Sequence, residues 1–307
     1  MTKTVFLLVV SLAAACRVAG GAALIDPMPE ARVLVWDEQN KGQKAYTNFI
    51  AAQIAGYLKN EKINPLLTVH SAGLNDTNLG LSDDVLTNCN VLIWWSHVRN
   101  KLVPDEKIKE IIDRVKEGKM SLIILHSALT SKVFIEAMNE RTREDAARTL
   151  PAGTKTEFIL PLAYKDPLET DPITPRIEMR TNWPDRTPLA LVYLPICEIT
   201  HWRETGESVT IKTLLTNHPI ASGVPASFQI PQSEVYSEPF HVPKPDEIVF
   251  QEETSKGEIF RAGMIWNVGK GKVFYFSPGH ESYPIYFQQE PLKIISNAVE
   301  WLAGQTH

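Results

Sequence analysis

Cysteine is scarce: the 307 residues hold three, Cys16, Cys89 and Cys197, with no CxxC pair among them. That excludes a disulfide scaffold and any cysteine-rich zinc module. Neither GxGxxG nor GxxxxGK[ST] occurs, so nucleotide phosphate would lack its usual loop. HExxH is missing too, and the ligands of any metal site would be distant in sequence. No run of basic residues appears, and 31 Lys+Arg against 36 Asp+Glu gives a formal charge of −5, which argues against a nucleic-acid partner. Internal repeats and low-complexity tracts are also lacking. What is present is ordinary globular composition, 44% hydrophobic and 22% charged, in a chain long enough to bury a large core.

The N-terminus reads as a processing segment. Lys3 precedes the apolar run Val5–Ala15, and small residues follow at Ala19-Gly20-Gly21-Ala22-Ala23. The run is shorter than the roughly 20 residues a membrane span needs, and the order is that of a secretory signal peptide over residues 1–23. The expectation is an exported, periplasmic or extracellular protein with no transmembrane segment in the mature chain. Cleavage after Ala23 removes Lys3 and Arg17 and no acid, lowering the charge from −5 to −7. Lipoprotein processing at Cys16 is the rival, although the bulky Leu12 sits one place too early for it. Export would permit a disulfide between Cys89 and Cys197.

Strand and helix patterns then alternate. Arg32–Trp36, Pro65–His70, Val91–Trp95 and Met120–Leu125 are strand candidates, the last two apolar on both faces as parallel strands inside a sheet are. Between them lie helical patterns at Tyr46–Lys59, at Ser82–Thr87 with Ser82 as N-cap, and at Asp105–Glu117; another follows at Ser131–Asn139. Four βα units predict an α/β fold, a doubly wound, mostly parallel sheet. Residues 141–200 break the rhythm. Eight of the 21 prolines lie between Pro151 and Thr200, so this stretch is expected to be an irregular insertion with short edge strands at most, a lid, an arm or an interface. Strands are expected again at Val209–Leu215, Gln232–Tyr236, Glu247–Gln251, Glu258–Trp266 and Lys272–Ser277. The last two flank a hairpin turn at Asn267–Gly271, and a terminal helix spans Pro291–Ala303.

In open α/β sheets ligands bind beyond the carboxyl ends of the strands. Asp37 and Glu38 follow the first strand, Ser96 and His97 the third, His126 and Ser127 the fourth, and Gly279, His280 and Glu281 the last. His70 ends the second strand as well. Three histidines converging with carboxylates suit either acid–base catalysis or a divalent metal such as zinc, held by His97, His126 and His280. Glu38 joins them as a candidate. Trp36, Trp94 and Trp95, in or at the ends of two of these strands, are candidates to stack on a sugar ring, with core packing the favoured reading for each.

The strings Val91–His97 (VLIWWSH), Leu122–Ser127 (LIILHS), Trp202–Glu207 (WRETGE), His218–Ile220 (HPI), Tyr236–Phe240 (YSEPF) and Phe274–Pro284 (FYFSPGHESYP) are similar, in order and spacing, to the trehalose-utilisation (ThuA) family. The resemblance covers Val33 to Lys132 and His201 to Trp301. The long Pro-rich segment and the signal peptide depart from it. It implies one domain over residues 30–303, with a flavodoxin-like fold of the class I glutamine amidotransferase type plus β-rich C-terminal additions. Those enzymes carry a cysteine nucleophile at a strand-to-helix elbow. The comparable elbow here, Leu125-His126-Ser127-Ala128, has none, so glutamine hydrolysis is excluded. Ser127 lacks the Gly-x-Ser-x-Gly setting of a serine nucleophile. The family's role is in catabolism of trehalose and related disaccharides, alongside oxidoreductases that make 3-keto sugars. The implied partner is therefore a small carbohydrate, with Glu38, His97, His126, Glu238 and His280 as catalytic candidates. Trp36, Trp95, Ser127, Glu281 and Tyr283 are the substrate-binding ones. Two readings stay open: an enzyme that cleaves or isomerises an oxidised sugar, and a non-catalytic sugar-binding or assembly module. Homo-oligomerisation is left open.

Overall fold

The computed structural model describes residues 31–60, 66–161, 167–184 and 186–306. The signal-peptide reading, Cys16 and the N-terminal end of the second strand candidate lie outside these residues.

A nine-stranded sheet forms the centre. Its parallel half comprises β1 (Ala31–Asp37), β2 (Leu67–Gly73), β3 (Val91–Trp95), β4 (Ser121–Leu125) and β12 (Gly271–Phe276). Its antiparallel half comprises β8 (Ile199–Thr213), β9 (Ser227–Phe240), β10 (Glu247–Thr254) and β11 (Ile259–Val268). The order is β2-β1-β3-β4-β12-β11-β10-β8-β9. β12 pairs parallel with β4 and antiparallel with β11, so it joins the two halves.

Side chains alternate across the parallel half. Val33, Val35, Ile93, Trp95, Ile123 and Leu125 enter one core, shared with helices α1 (Phe49–Leu58) and α5 (Gln289–Ala303). Leu34, Trp36, Leu92, Trp94, Leu122 and Ile124 enter the other, with α3 (Asp105–Lys116) and α4 (Lys132–Thr149). Both faces are covered by helices, which is why these strands read as continuous apolar runs. The short α2 (Asp83–Thr87) is capped by the Ser82 side chain, which accepts from the Val85 amide.

Residues 141–200 are more regular than the sequence suggested. Helix α4 continues ten residues past Asn139. Its buried stripe there is Arg141, Thr142 and Ala146 rather than aliphatic residues, and Arg141 is held by Asp145 at 3.0 Å and by both carboxylate oxygens of Asp246. The proline-rich chain then forms a second sheet, β5 (Lys155–Ile159), β6 (Arg176–Thr181) and β7 (Pro188–Tyr193), in the order β5-β7-β6. Pro188 sits at the first position of its strand, where a missing donor costs least. Ala190 and Val192 of this sheet pack on Ala146 of α4. Cys89 and Cys197 are both buried free thiols, so no disulfide joins them. Among the described residues no helix is long and apolar enough to cross a membrane.

Candidate active site

The cleft, lined by His97, Asn100, Thr130 and Glu198 among others, opens beyond the carboxyl end of β3, and the residues that follow β4 and β12 are buried beside His97. Strand β4 ends in an abrupt elbow: His126 has φ 52°, a value costly for a residue with a Cβ. A 3-10 turn, His126–Thr130, leads to Ser131, whose hydroxyl accepts from the Phe134 amide and caps α4. The loop after β12 is equally constrained. Gly279 has φ 154°, and a Cβ there would lie 2.0 Å from the Tyr286 hydroxyl oxygen. Trp95 donates its indole N–H to the Gly279 carbonyl at 3.0 Å, fixing the approach of the next residue, His280.

These elements bring three histidines together. Ring centroids are 5.2 Å apart for His97 and His280, 5.4 Å for His126 and His280, and 6.4 Å for His97 and His126. His97 Nδ1 meets both oxygens of Glu281, at 2.9 and 3.0 Å. Burial opposes ionisation of His97, but contact with Glu281, aided by Glu234 and Glu38, outweighs it and raises the imidazole above its ordinary value. Burial likewise works against the Glu281 carboxylate, and His97 overcomes it, holding the group down at about 2.

His126 donates from Nδ1 to the Ser277 carbonyl at 2.7 Å, leaving Nε2 for the cleft. That nitrogen is 3.2 Å from the Tyr236 hydroxyl and 2.9 Å from Glu234 Oε2. The approach to Glu234 is not along a hydrogen-bonding direction, and Glu234 Oε2 has no hydrogen-bond partner. Burial pushes Glu234 up, but His126, His280 and His97 together bring it below its usual range. His280 shows the opposite tautomer: Nδ1 accepts from the Ser282 amide at 3.1 Å, so Nε2 carries the hydrogen of the neutral ring. His280 is buried, its Nε2 has no hydrogen-bond partner, and the nearest carboxylates, Glu204 and Glu281, are each 3.7 Å away. Burial, with His126 adding to it, lowers its pKa.

Beneath the site lies Glu252, wholly buried, its Oε2 accepting from the Ser277 hydroxyl at 3.4 Å while Oε1 has no partner. Burial pushes this carboxyl up to about 8, so it is mostly protonated at neutral pH.

Other candidates are placed differently. Glu38 is fully buried and accepts the amides of His97, Val98 and Arg99 at 2.9, 3.0 and 2.7 Å, and the Asn40 side chain as well. It shapes the His97 loop and has no oxygen free for a substrate proton. Glu238 lies outside the cluster, in a fork with Arg261 at 2.6 and 2.9 Å. Trp36 is interior, stacked on Trp94 at 3.9 Å with its N–H on the Leu79 carbonyl, and Trp95 is interior as described; neither offers a face to a sugar. Ser127 donates its hydroxyl to the Ser96 carbonyl at 2.9 Å. Tyr283 is half-buried with its ring 5.5 Å from that of His280. His70 is exposed on β2, apart from the cleft.

Glu234 and Tyr236 were missed as site residues, because they come from the far half of the sheet. The signal available was an acid, Glu234, placed directly before the apolar pair Val235-Tyr236.

Two sets of side chains present ligand atoms within 4.8 Å of one another: His126, Glu234 and His280, and His97, His280 and Glu281. The first set fits a cation in part. His126 Nε2 and Glu234 Oε2 stand as two ligands of one ion would, and the Nδ1–H to carbonyl bond is the usual outer contact of a ligating histidine. His280 fits only if Nδ1 releases the Ser282 amide, since a protonated Nε2 cannot ligate.

Fold and site together define a mixed α/β protein, its large sheet carrying a histidine–carboxylate cleft at the carboxyl ends of its parallel strands. The family model for trehalose utilisation, ThuA, matches residues 32–302, and the chain belongs to that family. A solved ThuA-like protein from Parabacteroides merdae superposes with TM-score 0.56 at 13% identity, covering 90% of each chain. Another from Bacteroides uniformis gives 0.51 at 15%, covering 92% of this chain and 95% of that one. At these identities the likeness is one of fold. No curated protein matches the sequence.

Proposed function

We propose that the cleft performs acid–base chemistry on an oxidised sugar, cleaving or isomerising a 3-keto glycoside. The observation that carries this reading is the pair of imidazole–carboxylate contacts, His97–Glu281 and His126–Glu234, on either side of the unpartnered Nε2–H of His280. A ketone acidifies the adjacent C–H. His97, oriented through Nδ1 by Glu281, takes that proton on Nε2. The carbon's electron pair moves into an enolate, whose oxygen is met by the His280 Nε2–H. Return of the proton to the former carbonyl carbon, while the hydroxyl on the deprotonated carbon gives its proton to the enolate oxygen and becomes the new ketone, gives isomerisation. Alternatively the enolate expels the glycosidic oxygen as the C–O bond breaks, and that oxygen collects the proton that His97 took from carbon.

Membership of a trehalose-utilisation family supports a carbohydrate-related role. The parallel half runs β2-β1-β3-β4-β12, the 2-1-3-4-5 order of flavodoxin-like sheets, which supports the amidotransferase-type assignment with His126 at the elbow. The signal-like N-terminus supports export.

The test is to incubate the protein with a 3-keto glycoside in D2O and follow it by NMR. Deuterium beside the ketone, or release of the aglycone, is expected, and His97→Ala should abolish both. A wild-type protein that binds the sugar but neither exchanges nor cleaves it overturns the enzymatic reading in favour of a binding module.

A further inference from the structure

The small sheet ends in an edge that no strand covers among the described residues. β6 is terminal in the order β5-β7-β6 and pairs on one side only, antiparallel with β7 and without a register shift. Its sequence alternates strictly, Arg176-Ile177-Glu178-Met179-Arg180, and holds no proline. Ile177 and Met179 stand opposite Val192 and Ala190, on the face that rests on Ala146 of α4, yet they are 43% and 53% exposed. Helix α4 covers the middle strand and leaves the edge strand overhanging. Leu168, Ile173 and Trp183, to either side of β6 in sequence, are exposed as well. The edges of the large sheet are guarded differently: β9 is broken by register shifts, and β2 turns the polar His70 and Ser71 to water. An edge that is unbroken, free of proline and apolar on one face is a template for another strand.

The main-chain pattern fixes which groups this edge offers. The Asn182 amide donates to the Thr187 carbonyl at 2.9 Å, one step beyond the pair Thr181–Pro188. Bonded and non-bonded pairs alternate along an antiparallel ladder. Arg176, Glu178 and Arg180 therefore direct their main-chain groups to β7, and Ile177, Met179 and Thr181 direct theirs outward. Pro188 agrees with this phase: it has no N–H, and it stands opposite Thr181, where none is needed. A two-fold axis through Met179 is the self-pairing that matches all three outward residues with one another. It sets Met179 against the second copy's Met179 and Ile177 against the second copy's Thr181, for about six main-chain hydrogen bonds. Glu178 then faces the second copy's Arg180, once on each side of the axis. An axis through Glu178 or Arg180 would oppose like charges, and one through Ile177 would oppose Met179 to Pro175, which has no donor.

We propose that β6 is the contact by which two copies of this chain associate, their three-stranded sheets joined edge to edge into one of six. A two-fold interface must complement itself, and the alternation of charge along β6 does so in this one register. The axis runs perpendicular to the sheet, so Ile177 and Met179 of both copies form a single apolar stripe flanked by the two α4 helices. On the opposite face lie the two Glu178–Arg180 contacts between copies. Arg180 already sits 3.0 Å from Glu178 of its own chain and is 58% exposed, so it reaches across without leaving a buried partner. The association does not depend on the chemistry of the cleft.

Sedimentation equilibrium of the purified protein should show a monomer–dimer equilibrium. Met179→Pro removes an outward N–H and no bond to β7, so it should sediment as a monomer with an unchanged far-UV spectrum. Glu178→Arg and Arg180→Glu each set like charges across both contacts and should weaken dimerisation about tenfold or more. Mixed in equal amounts, these two variants should recover an affinity close to that of the wild type, because the heterodimer restores both Glu–Arg contacts. A change confined to the monomer cannot produce that recovery, so the mixture decides the matter even if Met179→Pro fails to fold. A wild type that is monomeric at every concentration, a folded Met179→Pro that still dimerises, a dimer indifferent to the charge changes, or a mixture no tighter than either variant alone overturns the proposal.

Discussion

His126 Nδ1 lies 2.7 Å from the carbonyl oxygen of Ser277, and this contact turns the other ring nitrogen toward Glu234 and Tyr236. At His280 the backbone does the reverse, with the Ser282 amide occupying Nδ1 and leaving a hydrogen on Nε2. Backbone groups thus hold Nδ1 of both rings and turn both Nε2 atoms toward carboxylates, that of His126 to Glu234 and that of His280 to Glu204 and Glu281.

The rate should follow the ionisation of His97. A base must be neutral, and Glu281 raises its pKa. Plotted against pH, kcat/KM should therefore rise through a value above 6.5, the ordinary histidine value. Glu281→Gln removes the partner, so its profile should shift to lower pH and its plateau should drop by about 10–100-fold. An unshifted acid limb would remove His97 from the base role.

Ser127→Ala should retain nearly all activity, because the hydroxyl is committed to the Ser96 carbonyl. A loss of several orders of magnitude would reveal a covalent mechanism.

Glu252 should make stability fall as pH rises. Its folded pKa is about 8, against 4.5 ordinarily. Between those values the unfolded chain releases a proton that the folded one keeps, so stability declines from pH 4.5 to about 8 and then levels off. Glu252→Gln supplies a permanently neutral group of the same shape. It should raise stability at pH 8 by a few kcal/mol, at about 1.4 kcal/mol for each pH unit separating the two values, seen as a higher melting temperature, and change it little at pH 4.5. Glu281, held at about 2, works in the opposite sense: its stabilisation is present above pH 4.5 and is lost as pH falls toward 2. Melting curves of both variants across pH 2–9 would separate the two.

Chelation distinguishes the two uses of the histidines. If His280 keeps its hydrogen on Nε2, exhaustive treatment with a chelator should leave turnover unchanged. Loss of turnover with recovery on added zinc, together with metal in the untreated protein, would assign His126 and Glu234 as ligands instead.

Export predicts that the mature protein begins between Gly21 and Leu24. N-terminal sequencing of protein recovered from its native compartment checks this, and an intact Met1 would refute it.

The parallel half was legible because burial on both faces writes itself as unbroken apolar runs such as VLIWW and SLIIL. The positions of His97, His126 and His280 relative to those runs follow from topology alone. Helix α4 beyond Asn139 was not legible, because Arg141 and Asp246, 105 residues apart, replace aliphatic packing with an ion pair. The start of β8 was hidden for the same reason, its charges at Arg203 and Glu207 answering Glu258 and each other. Glu38 and Glu238 stood near the right strings, but their oxygens are consumed by backbone amides and by Arg261. Which carboxylate remains free depends on such local partners, and periodicity carries no record of them.

The strand that joins the two halves of the sheet is also among the last to be made. β12 begins at Gly271, while β4, its neighbour on one side, ends at Leu125. During synthesis the first four parallel strands leave the ribosome with an open edge at β4, which stays open until nearly 150 further residues have followed. Closing so long a loop makes the sheet a slow, late-assembling one. His280 arrives only with that closure, so a nascent chain can hold α/β structure well before it has a competent cleft.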